Sequence, residues 1–453
     1  MSRGRRALLA LVTGAVAAAL VAGCAAPPPP PLDRHEVAAP AAADPAQPCV
    51  REAAVPSTGA GDVPAPAAPA GLDVRFDSAT GLIDLAAGTG VTLPALAAAV
   101  GDPAALREVG PGEWQLGADL VVRGGAELQI TAPEVRWLKL ASAPQRFVSL
   151  EALGGKLDIT GTCVTSWDEQ QGSVDTAYDD GRSFLLARDG AQMTITHAEL
   201  GYLGHGDVES YGLSWRTAGT GGSITDSIVS HLYYGLYTYE VSGLSVLDNE
   251  FRDNVLYGID PHTGSRDLHI ERNLVHDNGK HGIILAEDCV DSVIRDNVVY
   301  RNAHHGIVLY LRSDRNLVEG NESFGNSAQG INVNESAGNT LRGNRVYDNA
   351  ESGVGITQLS QGNVVDGNQL RGNQQDGLRV VSEAADTGVH GNVIAENARY
   401  GLYVDTSGML DVADNTITGN RAGIMTTNDA PVAPSGANEV SGNKDSDVVA
   451  DRG

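Results

Sequence analysis

In the stretch DNVLYGIDPHTGS, Asp253 to Ser265, a tyrosine, an aspartate and a histidine stand at positions 257, 260 and 262, beside a proline and two glycines. A turn-rich surface segment uses such residues, and so does a site that moves protons. Imidazole changes charge near neutral pH. A phenol donates readily but acts as a base only when nearby cations stabilise its anion. A carboxyl group can orient or neutralise either partner. Which reading holds depends on how the rest of the chain positions Tyr257, Asp260 and His262.

The surrounding chain repeats itself. Asn249, Asn273, Asn297, Asn321, Asn344, Asn368, Asn392 and Asn415 recur every 23 or 24 residues, and a second asparagine follows each one five positions later, from Asn254 to Asn420. A glycine follows four positions after that, at Gly258, Gly282, Gly306, Gly330, Gly353, Gly377 and Gly401. Three apolar columns keep step, led by Val246, Phe251 and Ile259. Short β-branched runs punctuated by Asn and Gly are strands joined by tight turns. Both residue types tolerate the left-handed backbone that such turns need, and stacked asparagines can bond from one turn to the next. The period is too short for a βαβ crossover or a propeller blade. An all-β parallel β-helix remains, each repeat forming one coil.

The period assigns side chains to columns. Just before the glycines lie Tyr234, Tyr257, His281, His305 and Gln329, with Tyr211 opening the series. Two residues after them lie Tyr237, Asp260, Ile284, Val308 and Asn332; four after lie Tyr239, His262, Ala286, Tyr310 and Asn334, with Arg216 one coil before Tyr239. Alternate residues of a strand share a face. Ile259 points inward, so Asp260 and His262 are expected to face out, beside Lys280. A groove of rings and titratable groups running along about five coils suits a linear polysaccharide, whose sugar faces pack on rings and whose hydroxyls take hydrogen bonds.

The remaining chain divides simply. Residues 1–23, with basic MSRGRR, an apolar run and VAGC, read as a lipoprotein signal peptide ending before a lipidated Cys24. Residues 24–71 are an Ala/Pro-rich spacer that cannot build a core and would hold a domain off a membrane surface. Residues 72–119 are expected to cap the stack, with a helix in VTLPALAAAVGDPAALREVG. Residues 120–430 form the β-helix, and 431–453 lose the pattern as a cap or tail. The net charge of −26 argues against a nucleic-acid partner, and any acidic substrate needs a local basic patch. Cys49, Cys163 and Cys289 permit one disulfide without specifying it.

At YGIDPHTGS the chain resembles the mannuronan (alginate) C5-epimerases, whose signature reads Tyr-Gly-x-Asp-Pro-His followed by an acidic residue. GKHGIIL and HHGIVL resemble the family's next coils, and ITGTCVTSWDE and RSFLLARDGAQMTITHAELGYLG resemble the approach to its right-handed parallel β-helix. The likeness runs over roughly residues 114–330, and Thr263 stands where the signature is acidic. The resemblance implies removal of the C5 hydrogen of mannuronate, α to a carboxylate, and return of a proton on the opposite face. His262 and Tyr257 would be the acid/base pair, in either order. Asp260 would orient or neutralise the substrate carboxylate or position His262. Lys280, His281, His305 and Arg216 would meet its charge, and Tyr234, Tyr237, Tyr239 and Tyr310 would bind sugar. No Gly-Gly-x-Gly-x-Asp calcium repeats occur. The likeness implies no cofactor and no catalytic metal, leaves room for a structural calcium, and points to a monomer outside the cytoplasm, anchored by Cys24.

Three other functions fit parts of the pattern. A polysaccharide lyase would expel the C4 substituent from the same intermediate. A non-catalytic carbohydrate-binding scaffold would keep the groove, and Thr263 favours it. A copper-site maturation factor of the periplasmic β-helix type is expected to carry Met and His ligands, and the chain holds four Met in all.

Overall fold

The computed structural model describes residues 34–35, 37, 44–50, 71–427, 430, 432–434 and 436–451. The signal peptide, Cys24 and most of the spacer lie outside the described residues. From Leu82 onward the chain winds as a parallel β-solenoid of about 14 turns. Each regular coil contributes one short strand to each of three parallel faces. Around the signature the first face carries Tyr234–Tyr239, Ile259–His262, Ile283–Ala286, Ile307–Tyr310 and Ile331–Asn334. The second carries Ser245–Leu247, His269–Glu271 and Val293–Arg295; the third carries Glu250–Arg252, Leu274–His276 and Val298–Tyr300. The three apolar columns meet along the axis: Val246, Phe251 and Ile259, with their successors Ile270, Val275 and Ile283, are essentially inaccessible to solvent.

Asparagine ladders fix the coil spacing. Asn273 Oδ1 accepts from the backbone N–H of Asn249 at 3.0 Å, and Asn273 Nδ2 donates to the Val246 carbonyl at 2.8 Å and to Asn297 Oδ1 at 2.9 Å. Asn297 and Asn321 repeat the pattern. A second ladder runs through Asn254, Asn278 and Asn302. Each rung satisfies backbone groups that the turns would otherwise bury unpaired. The ladder asparagines are not the left-handed residues, contrary to the reading of the turns. That conformation belongs to the residue before each rung, as at Asp248, Arg272, Asp296 and Gly320. Gly258 is required by close approach: a Cβ there would sit 2.5 Å from Val275 and 2.7 Å from the Gly282 carbonyl.

The β-helix is longer at both ends than expected. Leu82–Thr92 already pairs in parallel with Asp119–Arg123 and Ala126–Thr131. Glu113–Leu116 pairs in parallel with Trp137–Ala143. The helical cap is the single two-turn helix Leu93–Val100, N-capped by Thr92, with Leu93 and Leu96 buried over the core. At the other end Ser446–Asp451 adds a strand to Ala422–Thr427, and Asn438 and Asn443 extend both ladders at the same 23-residue spacing. The segment after 430 is therefore coil, not tail, as far as it is described.

Two described pieces of the spacer lie on the third face rather than standing away from it. Cys49 forms a disulfide with Cys163, and Cys289 is a buried free thiol. His35 packs on Tyr300 and Phe324 within a stack of rings, and Arg34 pairs with Asp348.

Candidate active site

The strand register on the first face matches the sequence columns. Arg216 pairs with Tyr239, Tyr239 with His262, His262 with Ala286, Ala286 with Tyr310, and Tyr310 with Asn334. Tyr237 pairs with Asp260 in the adjoining column. From Tyr237 and His262 onward these columns floor a groove of about 530 Å³, lined among others by Tyr211, Tyr234, Tyr237, Tyr257, Asp260, His262, Lys280, His281, His305 and Tyr310. Tyr239 and Arg216 sit just beyond one end of it.

The upper rim is a row of stacked rings. Tyr234 lies over Tyr257, Tyr257 over His281 and His281 over His305, with ring centres 5.1, 5.5 and 5.2 Å apart. Lys280 is exposed, and its Nζ donates to the Tyr257 hydroxyl at 2.7 Å along the groove wall. The two histidines are not the cations the sequence allows. Burial, aided by the neighbouring positive centres, pushes His281 down to about 2 and His305 down to about 3. Their Nδ1 atoms accept backbone N–H groups from the next coil, those of His305 at 3.3 Å and Gln329 at 3.0 Å. The neutral ring must then carry its proton on Nε2. Both are uncharged donors.

Asp260 corrects another expectation. It stands in the outward column but is covered by its neighbours, only 2 % exposed, and its Oδ1 has no hydrogen-bond partner. Burial raises its pKa well above the usual carboxylate range; Lys280 opposes the shift and Glu287 adds to it. A protonated Asp260 is a neutral donor at the groove floor. Burial likewise raises the pKa of Tyr234 and of Tyr237.

The lower rim holds His262, stacked on Tyr237 at 5.6 Å. Burial lowers its pKa below the ordinary imidazole value, with Glu287 opposing and Arg216 assisting, so the ring is neutral at neutral pH. Its Nδ1 lies 2.8 Å from Thr263 Oγ1, and that hydroxyl donates to Glu287 Oε2 at 3.1 Å. The Thr263 backbone N–H also points at Nδ1, at 3.1 Å. Nδ1 thus faces both a backbone donor and a hydroxyl oxygen whose own proton is committed to Glu287; the tautomer with its proton on Nδ1, bonded to Thr263 Oγ1, is the one that leaves an Nε2 lone pair for a base. Arg216 is buried, with its guanidinium carbon 4.5 Å from the Tyr237 ring centre, and neither its Nε nor its Nη2 has a partner. A buried cation with unpaired donors is poised for an anion.

Sequence reasoning missed Glu287 and His304. Glu287 lies 24 residues after Thr263, and His304 lies 24 after Lys280, where it packs edge-on against His281 and His305. The coil period carries both signals. Among the described residues no three His, Cys, Asp or Glu side chains converge as metal ligands would.

Comparison with known proteins agrees with this geometry. The family model described as "Periplasmic copper-binding protein (NosD)" matches residues 161–322, 207–377 and 358–449, more than half of the chain. A mannuronan C5-epimerase of Pseudomonas syringae pv. tomato is 34 % identical over 251 residues, 52 % of this chain and 46 % of the relative. The mannuronan C5-epimerase AlgG of Azotobacter vinelandii is 32 % identical over 196 residues, 40 % of this chain and 36 % of the relative. The chain thus spans less than half the length of these curated relatives. The crystal structure of the periplasmic alginate epimerase AlgG superposes with a TM-score of 0.63 at 26 % identity, covering 82 % of this chain and 85 % of that one. The A-module of the Azotobacter vinelandii epimerase AlgE4, at 19 % identity and a TM-score of 0.50, shares the fold. By its coils the chain belongs to the NosD family of β-helix proteins, and around the signature at Tyr257–His262 it is similar to the mannuronan C5-epimerases.

Proposed function

We propose that the groove epimerises a polymannuronate-like uronan at C5. The carrying observation is the pairing of a half-buried His262 on one rim with a Lys280-bonded Tyr257 on the other, with the buried Asp260 between their columns. His262 takes the C5 proton. The C5–H electron pair passes into the carboxylate, giving a dianionic enediolate-like group. Asp260, Arg216 and the Nε2 donors of His281 and His305 meet that charge in a poorly solvated site, where fixed donors act most strongly. Tyr257 then delivers a proton to the opposite face of C5, and Lys280 stabilises the phenolate left behind. No bond to C4 breaks. Proton transfer by positioned groups operates best when the base is unprotonated at working pH, and the lowered pKa of His262 favours that form.

The substrate side rests on the rings of Tyr211, Tyr234, Tyr237, Tyr239 and Tyr310, which pack against sugar faces. The chain acts without a cofactor in this reading; a calcium would be structural. It works outside the cytoplasm as a monomer, held to a membrane by a lipid on Cys24. Supporting that location are the basic-apolar-VAGC start and a Cys49–Cys163 disulfide, which persists in oxidising compartments.

Incubation of the chain with polymannuronate, followed by proton NMR, tests the reading. Guluronate signals are expected. Unsaturated sugar ends with ultraviolet absorbance identify a lyase instead, and bound but unaltered polymer identifies a scaffold.

A further inference from the structure

The groove columns do not end at Asn334. Five coils beyond the signature they fill again with charge and rings. Arg379 occupies the column of Asp260, and Arg399 occupies that of Lys280. Both guanidinium groups reach one fully buried carboxylate, Asp376, at 3.3 Å each. Tyr400 and Tyr403 stack with centres 5.5 Å apart, and Arg379 lies over Tyr403 at 4.5 Å while Arg399 lies over Tyr400 at 5.1 Å. Arg399 thus bears on Asp376 one coil back, as Lys280 bears on Tyr257.

Two features separate this cluster from an ordinary surface pairing. Its two guanidinium groups share one fully buried carboxylate, with Asp405, in the column of His262, as the carboxylate of the Tyr400–Asp405 strand. It is also joined to the catalytic coil by an uncharged polar floor. Gln329, Asn332, Asn334, Ser352 and Thr357 occupy the intervening columns with no carboxylate among them, and Asn334 Oδ1 is buried without a partner. Glu351, in the column of Lys280, and Glu335, in the column of Glu287, flank that floor.

We propose that Arg379 and Arg399, with Tyr400 and Tyr403, form a second carboxylate clamp for the same polymer chain, a proposal that rests on the polyuronate reading of the groove. Five coils at the inter-strand spacing place the clamp about 24 Å from the catalytic coil. A 1,4-linked uronate ring is about as long as one coil is high, so successive carboxylates can follow the axis. The ends of one extended substrate then bind together, and the second contact gains from the effective concentration that the first creates. Short oligomers occupy the catalytic coil alone.

The test is binding of oligomannuronates of about four and about ten sugars, the longer able to span five coils, measured by calorimetry on the full chain and on R379A/R399A. In the wild type the longer oligomer is expected to bind at least ~10-fold more tightly, the scale of one charge-assisted contact, with the gain shrinking as salt rises. In the variant that gain disappears. The double alanine leaves Asp376 buried and unpaired, so D376N/R379Q/R399Q, which removes the buried charge together with its partners and keeps polar side chains, serves as the second variant and is expected to lose the gain equally. A length gain unchanged in both variants overturns the clamp alone. A wild type that binds no oligomannuronate of either length overturns the reading of the groove itself, and the clamp with it.

Discussion

Lys280 Nζ reaches across one coil to the Tyr257 hydroxyl, 2.7 Å away. The pair explains why a lysine is held at the groove's edge. A phenol that gives up its proton leaves an anion, and an ammonium already bonded to the oxygen stabilises it. Tyr257→Phe and Lys280→Ala are each expected to lower turnover by about 100-fold or more. The double variant should lose far less than the product of the two, since both changes remove one function. Steady-state rates of guluronate formation, with melting curves to show intact folding, check this.

Asp260 carries the second prediction. Because burial holds it protonated, asparagine is its near isostere, whereas alanine removes the donor. Asp260→Asn is expected to melt no lower than the wild type and to retain more activity than Asp260→Ala. Equal loss in both variants, measured at the same pH, would mean that Asp260 works as an anion.

A third expectation concerns pH. His262 acts as base only when neutral, and its folded pKa lies below the ordinary imidazole value. Activity should therefore persist below the unperturbed imidazole pKa of about 6.5 and fall only as the pH drops through the lower folded value. Glu287 favours the protonated ring, so Glu287→Gln should shift that acid limb to still lower pH. Thr263→Asp puts a carboxylate directly beside Nδ1 and should shift it upward. The kcat/KM profile of each variant reads the limb.

The ladder supplies a stability prediction. Asn297→Ala leaves the Asn273 N–H and the Ile270 carbonyl without their side-chain partners in the middle of the stack. Each buried orphan costs about 1–3 kcal/mol, so a loss of about 3 kcal/mol or more is expected in urea unfolding. Asn438→Ala, on the last and partly exposed rung, should cost clearly less.

Much of this architecture is legible in the sequence because a solenoid converts period directly into position. The spacing from Asn249 to Asn415 places Tyr239, His262 and Tyr310 in one column, and the observed register repeats it. What the period does not reveal is environment. It puts Asp260 on the outer side, yet the rings of its neighbours cover it. It offers His281 and His305 as cations, yet burial and backbone donors make them neutral. Where strands lack the regular Asn–Gly period, as at Leu82–Thr92, the coils pass unseen. The Asn438 and Asn443 rungs escape notice because the proline-containing stretch before them breaks the apolar columns, while the 23-residue period continues. The Cys49–Cys163 bridge joins residues with a sequence separation of 114, a pairing that no local pattern signals.

The most direct measurement of the central claim is epimerisation of polymannuronate in heavy water, with the C5 position of the product read by NMR. Abstraction by His262 on one face and delivery by Tyr257 on the other require the guluronate formed to carry solvent deuterium at C5. Tyr257→Phe should still exchange C5 hydrogen without inversion, and His262→Ala should do neither. Guluronate that keeps its original C5 hydrogen, or wild-type inversion in both variants, would contradict the account.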